Sequence, residues 1–211
     1  MPKLRSAILL LTLVSVGLPA QDSPENRIAA SLKQLAAAAA PIQDSLNLAI
    51  KTDLRSLLDR PGALNASYTD LPMTRVEAPD GAFKLFTWNL PRTDGSHLFE
   101  GFLLARTAQG QAVYELRDMT GKITAPEVPE LGPEKWYGAL YYEVIPVKKG
   151  GRTYYTLLGW KGYSKAETRK VIDVLSFKGG KPRFGAPLFS AKKETKSRIK
   201  PMRRVFGYAF S

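Results

Sequence analysis

The sequence contains no cysteine and a single histidine in its 211 residues. Without cysteine the chain cannot form a disulfide framework, carry a lipoprotein anchor or use thiol chemistry. One histidine cannot supply a multi-histidine metal site. The chain also lacks a Gly-x-Ser-x-Gly segment, a phosphate-binding glycine-rich loop and a dinucleotide fingerprint. These absences predict neither a cofactor nor a metal, and no motif nominates a catalytic serine, although a Ser-His-Asp arrangement stays open.

The N-terminus has the pattern of a signal peptide. Lys3 and Arg5 precede an apolar run over residues 7–16, and a plausible cleavage site follows Ala20. The run is shorter than the roughly 20 apolar residues that span a bilayer. We therefore expect residues 1–20 to be removed and the mature protein, without a transmembrane segment, to be exported; an uncleaved anchor is the alternative. Because secreted eukaryotic domains often carry disulfides, the lack of cysteine favours a bacterial periplasmic, outer-membrane-associated or secreted protein.

Positive charge is concentrated near the C-terminus. The net charge is +12, and residues 178–204 hold ten Lys and Arg against Glu194 alone. Such a run is typical of contact with an anionic partner, such as nucleic acid, lipopolysaccharide or acidic glycan, or of a solvated loop between late strands. It lacks the interleaved aromatic residues that stack on bases, so the nucleic-acid signal is weak. An envelope glycan or another anionic polymer is the partner that this basic region suggests.

Residues 24–60 have the pattern of two helical segments. Asp22 or Ser23 can cap the first, and Pro41 breaks or kinks the pattern. The second segment carries five leucine and isoleucine residues at helical spacing, which is an amphipathic stripe. We expect the segment 21–60 to pack on a sheet of its own chain, with a partner helix or a membrane surface as alternatives.

The clearest structural signal is a hairpin within residues 136–160. Two stretches rich in aromatic and β-branched residues flank Lys-Lys-Gly-Gly, which indicates a tight turn. With Lys149 and Gly150 at the turn, Val144 would face Tyr155. Alternation makes both faces of the hairpin apolar, so we expect each face to be covered, and the helices are the natural cover for one of them.

Shorter alternating stretches predict an antiparallel meander around this hairpin. The other expected strands are residues 83–90, 97–106, 111–118, 169–177, a weak one at 184–189 and 203–210. We predict one mainly β domain over residues 61–211, with seven or eight strands in a sandwich or open barrel and the helices packed on one face. The last strand should bury its aromatic residues unless the chain is truncated at Ser211, and residues 190–200 should form an exposed, mobile loop.

Ionisable residues within the predicted strands are the candidates for catalysis. Glu143 and Asp173 lie among apolar residues, and His97 could act as a general base beside a carboxylate. The other strand carboxylates are Glu100, Glu115 and Asp118. Two carboxylates about 5 to 10 Å apart in a cleft could hydrolyse a glycan or a cell-wall polymer. Carboxylates on a solvated strand face would give the same sequence pattern.

Aromatic residues offer a second kind of site, because they can stack on sugar rings when several share an exposed face. The candidates are Trp136, Trp160 and Tyr163. Trp160 precedes a predicted loop over residues 161–166 and Tyr163 lies within it, so these two are the best placed for exposure. Aromatic residues buried in strands are the competing interpretation.

Four stretches also carry a family resemblance. They are Phe83-Lys-Leu-Phe-Thr-Trp-Asn89, Trp136-Tyr-Gly-Ala-Leu-Tyr-Tyr142, Tyr154-Tyr-Thr-Leu-Leu-Gly-Trp160, and Thr168 with Val171-Ile-Asp-Val-Leu175. Over roughly residues 24–190 the chain resembles a group of exported, β-rich proteins of unknown function from Bacteroidetes-type bacteria. Those proteins usually continue further, so the resemblance implies a truncated C-terminus. Lys161 departs from the acidic or amide residue expected there, and the resemblance implies no activity and no catalytic residue.

Taken by itself, the sequence favours a non-enzymatic exported protein that binds an envelope component or has a structural role in the envelope. The alternative is a glycan or cell-wall hydrolase that uses strand carboxylates. The distance between those carboxylates distinguishes the two hypotheses.

Overall fold

A computed structural model describes residues 22–190 and 200–209, which form two helices followed by two antiparallel sheets. The helices are α1 (Pro24–Leu35) and α2 (Ala40–Leu58). The first sheet contains β1 (Thr74–Glu77), β2 (Phe83–Pro91), β3 (His97–Thr107) and β4 (Gly110–Arg117). The second sheet contains β5 (Leu140–Lys149), β6 (Arg152–Gly162), β7 (Glu167–Lys178), β8 (Lys181–Phe184) and β9 (Arg204–Ala209). The predicted mainly β fold with N-terminal helices is confirmed, and its two sheets form a sandwich.

Both sheets are meanders. The first has the order β1-β2-β3-β4, and the second has the order β5-β6-β7-β8 with β9 also paired to β7. Because β8 pairs with residues 175–178 and β9 with residues 167–172, the two short strands share one edge of β7. The weak strand expected at 184–189 lies instead at Lys181–Phe184, and β1 was not predicted. Phe210 and most of the expected C-terminal loop, residues 191–199, lie outside the described residues.

The first sheet is covered on both faces. Phe99 and Leu103 point towards the second sheet and pack with Tyr141. Phe102 on the opposite face packs with Leu54 of α2. The layers therefore run from the helices through the first sheet to the second sheet. This double burial explains why β2 and β3 read as almost continuous apolar runs.

The prediction that the β5–β6 hairpin is covered on both faces is wrong. The helices pack on the first sheet, and the far side of the second sheet leaves Tyr142, Ile145 and Val147 exposed. The alternation of the hairpin was a poor guide because a bulge interrupts it between Tyr141 and Glu143.

The turn of this hairpin is Gly150-Gly151, one residue later than expected. Both glycines have positive φ, +57° and +71°, which suits the two-residue turn that joins twisted antiparallel strands. Lys149 therefore faces Arg152, and Val144 faces Leu157 rather than Tyr155.

The start of each helix follows from its local sequence. The Asn26 backbone N–H donates to Ser23 Oγ over 3.2 Å, so Ser23 is the cap of α1. Pro41 lies in the first turn of α2, where a backbone N–H would have no helical partner, so it begins the second helix instead of breaking one.

A buried polar contact holds α2 to the first sheet. Asn47 donates to Glu100 Oε1 over 2.9 Å and accepts from the Trp88 indole N–H over 2.8 Å. Lys51, one turn later, donates to Glu100 Oε2 over 3.2 Å. These contacts satisfy polar groups inside an otherwise apolar helix–sheet interface.

Replacing Asn47 with alanine will lower the free energy of unfolding by about 1 to 2 kcal/mol, because the Trp88 indole and one Glu100 oxygen would stay buried without a partner. Urea unfolding followed by tryptophan fluorescence measures this loss. The control is Ser45→Ala, an exposed position on the same helix, which should change stability by less than about 0.5 kcal/mol. Equal losses in the two variants would contradict the anchoring role of Asn47.

Candidate functional site

Asp173, a candidate catalytic carboxylate, is fully buried and paired. Its Oδ1 lies 3.1 Å from Nε of Arg203, and both side chains are 0 % exposed. The Tyr141 hydroxyl donates to Asp173 Oδ2 over 3.0 Å. Burial and the nearby Asp173 charge raise the pKa of Tyr141, so its hydroxyl stays protonated as a donor. Asp173 therefore has a structural role, and the prediction that it could reach a substrate is wrong.

Arg203 completes this buried cluster. Its guanidinium also donates to the backbone carbonyls of Pro126, Pro129 and Phe184. The five N–H donors of arginine suit such a pocket, which a lysine could not fill in the same way. The basic C-terminal run is consequently not uniform, because this member is a core residue.

The remaining carboxylate candidates are divided between two places. Glu143 is exposed beside the bulge of β5 and faces Leu158. Glu100 and Glu115 both bind Lys51, over 3.2 Å and 2.5 Å, in an open cleft of about 500 Å³. Their bound oxygens can be no further apart than the sum of these two distances, so the two carboxylates converge on one ammonium group.

The chemistry of the cleft differs from that of a glycosidase. Such an enzyme needs carboxyl groups that are free to reach the substrate, whereas Lys51 already binds both of these carboxylates. Asp118, which also lines the cleft, accepts hydrogen bonds from the backbone N–H groups of Phe99, Thr120 and Gly138. Each of these three carboxylates in the cleft therefore already has a partner within the protein.

His97 does not contact a carboxylate among the described residues. Asn89 Nδ2 donates to its Nδ1 over 2.8 Å, and its ring packs edge-to-face on Trp160 with centroids 5.5 Å apart. Burial lowers the pKa of His97, and the Lys161 ammonium lowers it further. The imidazole is thereby kept neutral and held in place by packing.

The three aromatic candidates occupy different environments. Trp136 is 0 % exposed, so the prediction that it could stack on a ligand is wrong. Trp160 is half-buried against Phe99, with centroids 6.4 Å apart. Tyr163 is 40 % exposed, with the Arg169 guanidinium carbon 3.2 Å from its ring centroid. The structure therefore does not assemble the three into one platform.

Lys161, expected in a loop, is buried within β6. Its Nζ donates to Gly138 O over 2.5 Å and to Thr120 Oγ1 over 2.7 Å. It also lies 4.3 Å from the ring centroid of Phe99 and 4.5 Å from that of Tyr137. Burial lowers its pKa to about 8, although the nearby Asp118 charge acts in the opposite direction.

The side of the second sheet that faces away from the first carries a set of exposed apolar side chains. Five residues on β5 and β9 are 37 to 52 % exposed: Tyr142, Ile145, Val147, Phe206 and Tyr208. Lys170 and Phe206 are paired across β7 and β9, so their side chains lie on the same side of the sheet. Lys170 Nζ also lies 5.1 Å from the Tyr142 ring centroid, which places β5 residues on the same side. We call this surface the outer face.

Cations flank the apolar part of the outer face. The two Gly-Gly turns of the second sheet lie at the same end, and each is bracketed by basic residues in paired positions. These residues are Lys149 and Arg152 at one turn and Lys178 and Lys181 at the other. Further along the strands, alternation places Lys170, Arg183 and Arg204 on the same face.

Few acidic residues offset these seven cations. Glu143 is the acidic residue at an outer-face position of the described strands, next to the β5 bulge. Glu130 pairs with Lys178 and Arg183, and Glu127 lies 3.9 Å from Arg204. The other four cations form no ion pair with a described residue. The outer face is therefore apolar and strongly positive.

Sequence reasoning missed this surface although part of its signal is local. Lys-Gly-Gly-Arg and Lys-Gly-Gly-Lys are visible as basic turns. Their meeting at one end of a sheet depends on strand order, and the side on which Tyr142 lies depends on the bulge. The basic region noted near the C-terminus contributes four of the seven cations.

Within residues 22–190 and 200–209, no group of three or more His, Asp or Glu side chains could hold a metal ion. In that same part of the chain no helix is both long and apolar enough to cross a membrane. Comparisons with known protein families, with curated proteins and with solved structures found no match.

Proposed function

We propose that this chain is an exported, non-enzymatic protein that binds a component of the cell envelope through the outer face. The observation that supports it is the set of five exposed apolar side chains on a sheet face that also carries seven cations. Ile145 with Val147, and Phe206 with Tyr208, are exposed neighbours on one face of their strands. Exposed apolar patches mark interaction sites in soluble proteins. Export rests on the N-terminal pattern of the sequence, which lies outside the described residues.

The contacts made by the catalytic candidates also favour a binding function. Asp173 neutralises Arg203, and Asp118 binds backbone N–H groups. His97 is held by Asn89 and packed against Trp160. A general acid or base needs a group that can reach and exchange a proton with substrate, and these contacts already occupy all three side chains.

One observation favours the alternative, a glycan or cell-wall hydrolase. Glu100 and Glu115 converge in an open cleft, and Glu115 is the more exposed, with 49 % of its side chain accessible. In this alternative Glu115 would have to exchange Lys51 for substrate. Release of reducing ends from cell-wall polymers, abolished by Glu115→Gln, would establish the hydrolase and exclude the proposed binding role as the main function.

The proposed function predicts that the protein sediments with bacterial envelope fragments and that the outer face is responsible. The Tyr142→Ser/Ile145→Ser variant should bind at least about tenfold more weakly, because both changes remove apolar contact area. The matched control is Ile42→Ser/Leu48→Ser, which alters two exposed apolar residues on α2. Equal binding by all three proteins would refute the assignment to the outer face.

A further inference from the structure

The outer face combines two chemistries that a single partner must satisfy. Its apolar side chains include Ile145, Val147 and Phe206, which cannot hydrogen-bond to a polar ligand. Its charged positions hold seven cations, of which three pair with Glu127 or Glu130, and one acidic residue, Glu143. A suitable partner therefore presents negative charge at its surface and an apolar interior immediately beneath it.

On this basis, and resting on the function proposed above, we propose that the outer face binds the surface of a lipid bilayer that contains anionic headgroups. Aromatic and aliphatic side chains can enter the boundary between headgroups and acyl chains. Lysine and arginine at the two Gly-Gly turns can contact the phosphates, while their alkyl stems lie along the apolar boundary. The bilayer meets both requirements of the outer face at once.

A partner of the outer face must reach two separate groups of apolar residues. The exposed apolar residues lie on β5 and β9, with β6 and β7 between them. Val174 and Ser176, at outer-face positions of β7, are 0 % and 4 % exposed. Lys170 is paired with Phe206, and the turn cations lie at one end of the sheet. A broad surface such as a bilayer can cover both apolar groups and the cations at the same time.

A second copy of the chain fits less well. A two-fold interface would place the same surface patch of both copies together, so cations would oppose cations. Glu143 is the acidic residue available at an outer-face position of the described strands to relieve that repulsion. An uncharged glycan would leave the positive charge without a counterpart.

Sedimentation with vesicles tests the proposal. The full chain lacking residues 1–20 is mixed with vesicles of phosphatidylcholine, or of phosphatidylcholine with phosphatidylglycerol. We expect at least about tenfold tighter binding to the anionic vesicles and a loss of binding as salt rises.

Lys149→Glu/Arg152→Glu should weaken anionic binding at least about tenfold, because the opposite charge now faces the phosphates. Phe206→Ser should weaken anionic binding at low salt as well, because it removes apolar contact area.

The charge-matched control is Lys33→Glu/Arg60→Glu, which makes the same change in net charge at exposed positions in and just after the helices. Circular dichroism confirms that each variant is folded. The lipid proposal would be overturned by an equal loss of binding in this control variant, by equal affinity for neutral and anionic vesicles, or by the absence of vesicle binding. If envelope fragments still bind through the outer face in that case, the proposed function stands and its ligand is a different one. A dimer that dissociates in the Phe206→Ser variant would assign the face to a second copy.

Discussion

Replacing Arg203 with methionine will lower the free energy of unfolding by about 3 to 5 kcal/mol. The Asp173 carboxylate would remain in a pocket where it is 0 % exposed, without the cation that lies 3.1 Å away. Three backbone carbonyls would also lose the arginine donor, and of these the Phe184 carbonyl keeps the Leu131 backbone N–H. Removing one partner of a buried pair is far more costly than removing both, because a charge is left without compensation. Guanidinium unfolding monitored by circular dichroism measures the loss.

Two further variants make this test specific. Arg204→Met removes the adjacent arginine, which is partly exposed and 3.9 Å from Glu127, and should cost less than about 1 kcal/mol. The double variant Arg203→Met/Asp173→Asn should be more stable than Arg203→Met alone, because the uncompensated charge is gone. If Arg203→Met cost no more than Arg204→Met, the buried pair would not be a major contributor to stability.

Raising the pH will stabilise the wild-type protein relative to a Lys161→Met variant. Burial lowers the pKa of Lys161 from its usual 10.5 to about 8 in the folded state. Between these two values the unfolded chain holds a proton that the folded chain has released, so stability increases with pH. The penalty for burying the charge is fully present below about pH 8 and disappears as the pH rises towards 10.5.

The expected gain is about 2 kcal/mol between about pH 7.5 and about pH 10. It is measured as the difference in unfolding free energy between wild type and Lys161→Met, because other titrating groups contribute to both proteins alike. Lys122→Met, at an exposed position, serves as the control and should show no such trend. A difference that is constant with pH would contradict the lowered pKa of Lys161.

Local patterns were sufficient for most of the fold. The apolar runs of β3 and of β7, the Gly-Gly turn of β5 and β6, and the cap at Ser23 are each properties of a few adjacent residues. β1 was missed because Thr-Arg-Val-Glu is short and follows a proline-rich connection. Its strand conformation depends on pairing with β2.

The sites were harder to predict because their residues are distant in sequence. Asp173 and Arg203 are 30 residues apart. In the sequence Arg203 looks like any other member of the basic C-terminal run, and nothing local shows that it enters a buried pocket. Lys161 follows a tryptophan and precedes a glycine, which suggested a loop, yet two aromatic rings and two oxygen acceptors hold it in a strand. Tertiary contacts decide whether such a side chain is buried or exposed to solvent, and neither local sequence pattern contains that information.

The pocket of Arg203 has a consequence for the order of folding. The carbonyls it binds belong to Pro126 and Pro129, 77 and 74 residues earlier, and to Phe184, 19 residues earlier. Contacts of such long range slow folding, because the intervening chain must be ordered before they contribute. During synthesis, α1, α2 and the four strands of the first sheet emerge well before Arg203. Until this arginine arrives, the second sheet cannot complete the pocket that neutralises Asp173.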